Sequence, residues 1–218
     1  MSFPLHPARA CAFAIVLAAA AFARADVAVA APFGDHAVLQ RDKPVPVWGT
    51  GAKGEKVTVS FAGQQQSATV GPDGRWIVYL PALPASAAGA DLVVAGSNTL
   101  TLRNVVVGEV WLCAGESNME RPVGRATPAA AEITAAANPL IRHVRIEPTV
   151  AEAPADTVKT GGWQMATPDT TGAFTAVGYF FARDLQPRLG VPIGLVHAAK
   201  GPTPIEAWLS PAALAGDP

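Results

Sequence analysis

The chain has 218 residues, of which 50% are hydrophobic and only 15% are charged. Soluble domains usually carry about a quarter charged residues, so this composition excludes a disordered chain and a solvated coiled coil. A formal net charge of −1 gives no basic field to recruit nucleic acid or anionic lipid, and two cysteines exclude a disulfide framework. The 20 glycines and 20 prolines favour many turns between short strands.

The N-terminal segment has the pattern of a secretory signal peptide. Arg9 precedes an apolar run at residues 10–22, and Ala23-Arg24-Ala25 fits a small-x-small cleavage pattern. The run is too short for a hydrocarbon core of about 30 Å, although a short membrane anchor is the alternative. We therefore expect residues 1–25 to be removed after Ala25. The remaining chain is expected to lack an integral membrane segment and to be periplasmic or secreted.

The segment 26–107 has the pattern of an all-β sandwich. Apolar and polar residues alternate at 57–61, which is the period of a half-buried strand. Strand patterns recur at 75–80, 91–95 and 99–105 with turn-forming residues between them and no helical segment. Short strands at this spacing indicate an antiparallel sandwich.

The second part, residues 108–218, alternates strand and helix patterns. In chain order they are an apolar strand at 110–113, an alanine-rich helix at 127–137, a strand at 140–146, a loop at 147–162, a helix at 174–189 and a strand at 191–198. This βαβαβ order predicts a parallel sheet covered by helices.

Ser117 is the first candidate for chemistry. It follows the strand at 110–113, beside Gly115 and just before a helical segment. A serine there can project its hydroxyl from the C-terminal end of a sheet, with backbone N–H groups facing a developing oxyanion. The spacing alone equally fits a turn or helix-capping serine.

Several segments resemble, in the same order, the bacterial sialate O-acetylesterase-like proteins. They are FGDHAVLQRDKPVPVWG at 33–49, GEVWLCAGESNM at 108–119, residues 174–185, and TPIEAW at 203–208. The resemblance implies a β-sandwich followed by an SGNH-hydrolase domain, an α/β fold of flavodoxin-like type that is incomplete in this chain. It also implies an activity that removes O-acetyl groups from acetylated glycans or sialic acid.

The resemblance assigns roles to individual residues. Ser117 would attack the acetyl carbonyl to give an acetyl-enzyme, and its own N–H would be one oxyanion donor. Gly201 stands in the segment that supplies a second donor. The other positions in the matching segments are candidate substrate contacts, although Glu206 also suits ordinary helix capping: Glu116, Asn118, Thr203 and Glu206. No metal or organic cofactor is implied.

Three positions depart from the family pattern. Glu116 stands where glutamine is usual, so a carboxylate either opposes an oxyanion or points to solvent. Pro202 replaces a glycine and has no N–H to donate. Lys200 replaces a tryptophan and either restores positive charge or lies exposed. Cys113, next to apolar neighbours, is expected to be a buried thiol.

The family's general base is a histidine in a late Asp-x-x-His segment, and no such spacing occurs in this chain. His197 ends the last predicted strand at the edge where Ser117 lies, which makes it a candidate substitute base. His143 lies inside a strand pattern and is expected to be a packed histidine. A serine without a base is a poor nucleophile, and the predicted parallel sheet is unfinished. We therefore expect either the N-terminal portion of a longer esterase or a truncated reading frame, with low or no activity alone.

Two other interpretations stay open from the sequence. In the first, the chain is a non-catalytic module whose sandwich binds or orients a glycan. In the second, it is an exported structural protein with accidental motif similarity. The absent Asp-x-x-His segment favours the first of these two.

Overall fold

The computed structural model of the protein describes residues 26–150, 153, 155 and 157–216. The predicted signal peptide at 1–25 lies outside these residues. Within the described ranges, none of the helices combines the length and apolar character that crossing a bilayer requires.

Eleven strands and four α-helices make up the described chain. The strands are β1 (Ala28–Val29), β2 (Val38–Gln40), β3 (Val45–Thr50), β4 (Lys56–Phe61), β5 (Gln64–Thr69), β6 (Arg75–Leu80), β7 (Ser86–Ala95), β8 (Thr99–Gly115), β9 (Asn138–Ile146), β10 (Thr160–Ala166) and β11 (Ile193–Ala199). The helices are α1 (Ser117–Glu120), α2 (Ala129–Ala135), α3 (Ala176–Leu189) and α4 (Pro211–Ala215), with 3₁₀ turns at Val123–Arg125, Thr171–Ala173 and Ile205–Trp208.

The strands of the first part bury alternate side chains, as the sequence pattern predicts. In β4 the buried residues are Val57, Val59 and Phe61. In β6, Trp76, Val78 and Leu80 are buried while Ile77 and Tyr79 stay exposed. These apolar faces form one core between a three-stranded sheet, β1-β3-β6, and the sheet that contains β4, β5 and β7.

Strand β8 joins the two parts of the molecule. Its first half pairs antiparallel with β7, up to Ser86 opposite Val107, and its second half pairs parallel with β11, from Glu109 to Gly115. The sequence pattern predicts two separate strands here, at 99–105 and 110–113. The structure has one strand because the apolar run between them continues the pairing, so the predicted boundary at 107/108 falls inside it.

The larger sheet has the order β10-β9-β11-β8-β7-β4-β5, with β2 parallel to β8. β9, β11 and β8 are parallel, as predicted, and β10 is antiparallel to β9. The prediction of a loop through residue 162 is wrong, because β10 begins at Thr160. The glycine pair Gly161-Gly162 and a register shift between Thr160 and Trp163 break the alternation that would have revealed it.

The strand order also differs from the flavodoxin-like order that the resemblance implies. In that order the first strand lies between the second and third, whereas here the third, β11, lies between β8 and β9. β2 pairs with β8 at Val106–Gly108, and Pro192 accepts the Glu109 N–H directly beyond it. After α3 the chain enters β11, which pairs with β8 on the same side as β2 and follows β2 along that strand. β9 therefore pairs with β11 and not with β8.

The two predicted helices of the second part are present. α2 spans Ala129–Ala135, and α3 spans Ala176–Leu189 between a Thr175 N-cap and a left-handed Gly190 C-cap. The buried face of α3 packs with Phe174, Ile193 and Leu195 in the second core. α3 therefore covers one face of β11 and β9.

Candidate active site

Ser117 lies at the C-terminal end of β8 and is exposed. The chain leaves the strand at Gly115, whose φ of 149° is in the region that favours glycine, and where a Cβ would lie 3.2 Å from the Met119 Cβ. Ser117 is the first residue of α1, and the N-cap of that helix is Glu116. The alternative of a helix-capping serine is therefore wrong.

The side chain of Glu116 folds over the nucleophile candidate. One carboxylate oxygen accepts the Ser117 hydroxyl, and the other accepts the Asn118 N–H and the Asn118 side-chain amide, both at 3.2 Å. The hydrogen bond from the Ser117 hydroxyl is the main cause of a lowered pKa of Glu116. Hydrogen bonds from the backbone N–H groups of Ser117 and Asn118 lower it further. The carboxylate is therefore bonded within the nucleophile loop, through contacts that stay open to solvent.

The loop after β11 brings Gly201 against Ser117. A Cβ on Gly201 would lie 2.7 Å from the Ser117 Cβ, 2.8 Å from its Cα and 2.9 Å from its backbone nitrogen. The Lys200 N–H, one residue earlier, donates to the Gly115 carbonyl at 3.0 Å. Only glycine fits this approach without displacing the backbone of the nucleophile loop.

Glu120 is a functional candidate that sequence reasoning missed. Its carboxylate accepts the Gly201 N–H at 2.9 Å and the Arg145 guanidinium at 3.0 Å. The bond from Gly201 is the main cause that lowers the pKa of Glu120, and the charges of Lys200 and Arg145 act in the same direction. The sequence does hold one signal for Glu120: it comes three residues after Ser117, and residues at this spacing lie on the same side of a helix.

An open cavity of about 560 Å³ adjoins Ser117. Its lining has three guanidinium groups and one carboxylate: Ser117, Glu120, Arg121, Pro122, Arg125, Arg145, Gly201 and Pro202. Arg121 also donates to the carbonyl of Arg125 at 2.6 Å. The cavity beside the serine is therefore electropositive.

The remaining predicted substrate contacts lie outside this lining. The Thr203 hydroxyl donates to the Lys200 carbonyl at 2.6 Å and accepts the Trp208 indole N–H at 2.9 Å, so it stabilises its own loop. Glu206 lies exposed in the 3₁₀ turn, and the Asn118 amide is bonded to Glu116. Lys200 is exposed, as one of its two interpretations expects, and its charge also reaches Glu120.

The structure does not bring His197 to the nucleophile candidate, whose hydroxyl is bonded to Glu116. His197 is only 1% exposed and packs 5.3 Å from His143, ring centre to ring centre. Burial is the main cause that lowers the pKa of His197. His143 is a packed histidine, as expected: it stacks on Phe174 at 4.4 Å, and burial lowers its pKa to about 3.

Cys113 is a buried thiol, as predicted. It is 5% exposed, and burial raises its pKa to about 11. In the part of the chain that the structure describes, no three His, Cys, Asp or Glu side chains gather as a metal site would require.

Comparison with known proteins gives a consistent set of relatives. The rat sialate O-acetylesterase is 32% identical over 200 residues, covering 83% of this chain, and the human one is 31% identical over 192 residues, covering 79%. The crystal structure of a carbohydrate acetylesterase from Xanthomonas citri matches with a TM-score of 0.84 and 38% identity, over 88% of this chain and 44% of that one. No family model matches the chain.

In sequence and in fold, the chain is therefore similar to carbohydrate esterases. The matches to sialate O-acetylesterases and to a carbohydrate acetylesterase confirm the resemblance seen in the sequence motifs. The chain spans 37% of the length of the rat and human relatives that it matches.

Proposed function

We propose that the protein hydrolyses acetyl esters on sugars, with Ser117 as the nucleophile. The observation that carries this proposal is an exposed serine hydroxyl at the C-terminal end of a parallel strand, beside an open cavity and against a glycine loop. The Ser117 oxygen attacks the acetyl carbonyl, the sugar hydroxyl leaves, and water then releases acetate from the acetyl-enzyme.

The backbone N–H groups of Ser117 and Gly201 are proposed as the oxyanion donors. The two residues are in contact, since a Cβ on Gly201 would lie 2.9 Å from the Ser117 nitrogen. The Gly201 N–H donates to Glu120 in this structure. It can donate to the oxyanion only when that hydrogen bond is broken or when the N–H is shared between both acceptors. Backbone donors of this kind stabilise the charge that develops on the carbonyl oxygen.

The domain organisation is also a proposal. We place a β-sandwich at 26–107 and the opening part of an SGNH-type α/β domain at 108–218, without the histidine that would act as general base. Removing one member of a serine triad costs several orders of magnitude in rate. The 218-residue chain alone is therefore proposed to have low or no esterase activity, so the activity experiments use a full-length version of the protein in which a general base is present.

Export is proposed from the N-terminal pattern alone. Residues 1–25 would direct the chain to the periplasm or the exterior and be removed after Ala25. Mass spectrometry of the protein recovered from the producing cell tests this: a chain beginning at Asp26 supports export, and an intact Met1 contradicts it.

The charge of the cavity favours a sugar that bears a carboxylate, such as an acetylated sialic acid. Arg145 is already paired with Glu120, whereas Arg121 and Arg125 add positive charge beside Ser117 without a second acid in the lining. Guanidinium groups bind carboxylates by charge-assisted hydrogen bonds. Arg125→Ala is expected to raise KM for an acetylated sialic acid about fivefold or more and to leave KM for neutral p-nitrophenyl acetate unchanged. An equal effect on both substrates contradicts this specificity.

A non-catalytic glycan-binding module is the second candidate. Tyr79 and Ile77 are exposed on β6, and a separate cavity of about 560 Å³ at the edge of the three-stranded sheet is lined in part by Trp48. Aromatic side chains give a large contact area at binding surfaces. Trp48→Ala would then weaken glycan binding while Ser117→Ala would not.

The esterase proposal is tested by hydrolysis of p-nitrophenyl acetate and of an acetylated sugar by the full protein. Ser117→Ala is expected to reduce kcat at least a thousandfold, because the acetyl-enzyme cannot form. Unchanged turnover would remove Ser117 from the reaction.

A further inference from the structure

The carboxylate of Glu116 is bonded to groups that acyl transfer needs. It accepts the Ser117 hydroxyl, and it also accepts the Asn118 N–H and side-chain amide at 3.2 Å each. The same contacts make Glu116 the N-cap of α1, so its side chain is held in place by the fold of the nucleophile loop.

This arrangement opposes attack by Ser117 in two ways. A serine becomes nucleophilic when its hydroxyl proton moves to a general base, and here the hydroxyl donates to Glu116 and is not available to a separate base. The tetrahedral intermediate then places negative charge on the former carbonyl oxygen. A fixed carboxylate one residue away repels that charge, because like charges at short range raise each other's free energy.

We propose that Glu116 is a positioning residue that restrains Ser117, so that its negative charge keeps the nucleophile less reactive than a neutral side chain would. The inference rests on the proposed function, since it concerns how fast the same serine acts.

Glu116 does not serve as the general base in this account. Its hydrogen bonds hold its pKa below the ordinary value, which makes the carboxylate a weaker proton acceptor. Its second oxygen is already occupied by two Asn118 donors. The carboxylate therefore orients the Ser117 hydroxyl without drawing its proton away.

The matched variant is Glu116→Gln, which keeps the size and the acceptor oxygen of the side chain and removes its charge. We expect kcat for p-nitrophenyl acetate, and the rate at which an uncharged fluorophosphonate labels Ser117, to rise about three- to tenfold with KM unchanged. Added salt is expected to raise the wild-type rate more than the Glu116→Gln rate, because it screens only a charge that is present. A loss of packing alone would produce neither effect.

Two further variants complete the experiment. Asp91→Asn makes the same change from carboxylate to amide at an exposed residue of β7 and is expected to leave the rates unchanged. Glu116→Ala also removes the charge, with a smaller side chain, and is likewise expected to raise the rate. It replaces Glu116→Gln in the experiment if that variant does not fold.

The outcomes separate the inference from the proposed function. Wild-type labelling at Ser117 with no increase, or a decrease, in Glu116→Gln overturns the restraint and leaves the esterase proposal standing. If neither the wild type nor either Glu116 variant is labelled at Ser117, the nucleophile assignment fails and the inference fails with it.

Discussion

The backbone N–H of Gly201 donates to the Glu120 carboxylate at 2.9 Å, and a Cβ on Gly201 would lie 2.7 Å from the Ser117 Cβ. One hydrogen bond therefore fixes the loop after β11 to the helix that begins at the nucleophile candidate. Arg145 holds the other Glu120 oxygen at 3.0 Å. The last residues of β9, β11 and β8 are thereby tied together at one edge of the sheet.

Removing the Glu120 carboxylate is expected to free this loop. In Glu120→Ala the Gly201 amide loses its acceptor, so its hydrogen exchange becomes about tenfold faster or more. Loss of the ordered loop also lowers kcat. Hydrogen exchange followed by NMR or mass spectrometry measures the first effect; unchanged exchange at Gly201 would show that Glu120 does not anchor the loop.

Adding a methyl group at Gly201 is expected to disrupt the site itself. Because its Cβ would meet the backbone of Ser117 at 2.8 Å, Gly201→Ala must shift one of the two loops, at a cost of about 1–3 kcal/mol. Esterase activity is expected to fall about a hundredfold. Gly161→Ala is the matched control, since a Cβ there has no heavy atom within 4 Å, and full activity in Gly201→Ala contradicts the close approach.

Acid is expected to destabilise the protein through His143. Burial lowers its pKa to about 3 from an ordinary value of 6.5, so the unfolded chain binds a proton between these two pH values and the folded chain does not. The free energy of unfolding therefore falls as the pH decreases from 6.5 toward 3, by about 1.4 kcal/mol per pH unit for this one group. Urea denaturation at several pH values measures the slope.

His143→Gln removes the titrating group while keeping a polar side chain. Its pH slope in the same range is expected to be shallower by about one proton. An identical slope in the two proteins would mean that His143 is not buried neutral in the folded state.

Arg142 connects the two parts of the molecule. It is only 3% exposed, and its guanidinium donates to the carbonyls of His36, Asn104 and Pro139 at 2.9, 2.6 and 3.1 Å. Arg142→Met leaves these acceptors unpaired and is expected to lower the free energy of unfolding by about 3 kcal/mol or more. Arg188→Met, at an exposed position of α3, is expected to change the free energy of unfolding by less than about 0.5 kcal/mol. Equal effects would contradict the bridging role of Arg142.

Individual strands and helices were largely predictable from the sequence, whereas the order of the strands in the sheet was not. Alternation revealed β4 and β6, and helical spacing with Gly190 at its end revealed α3, because each signal is contained in a short segment. β10 was missed since its glycines and register shift erase the alternation. The place of β11 between β8 and β9 depends on contacts distant in the chain, which a local pattern does not encode.

The site divides in the same way. Ser117 and Gly201 were found through the motifs that contain them. Glu120 was missed because its role depends on two partners, Gly201 and Arg145, that come from later parts of the chain. The sequence shows that Glu116 is next to Ser117. Which way the Glu116 carboxylate points depends on the conformation of the loop, so the sequence alone did not reveal its bond to the Ser117 hydroxyl.

The identity of the nucleophile is tested most directly by labelling the full protein with a fluorophosphonate and locating the adduct by peptide mass spectrometry. The account predicts a single adduct on Ser117 that is absent in Ser117→Ala. An adduct on another residue, or labelling that persists in Ser117→Ala, would contradict it.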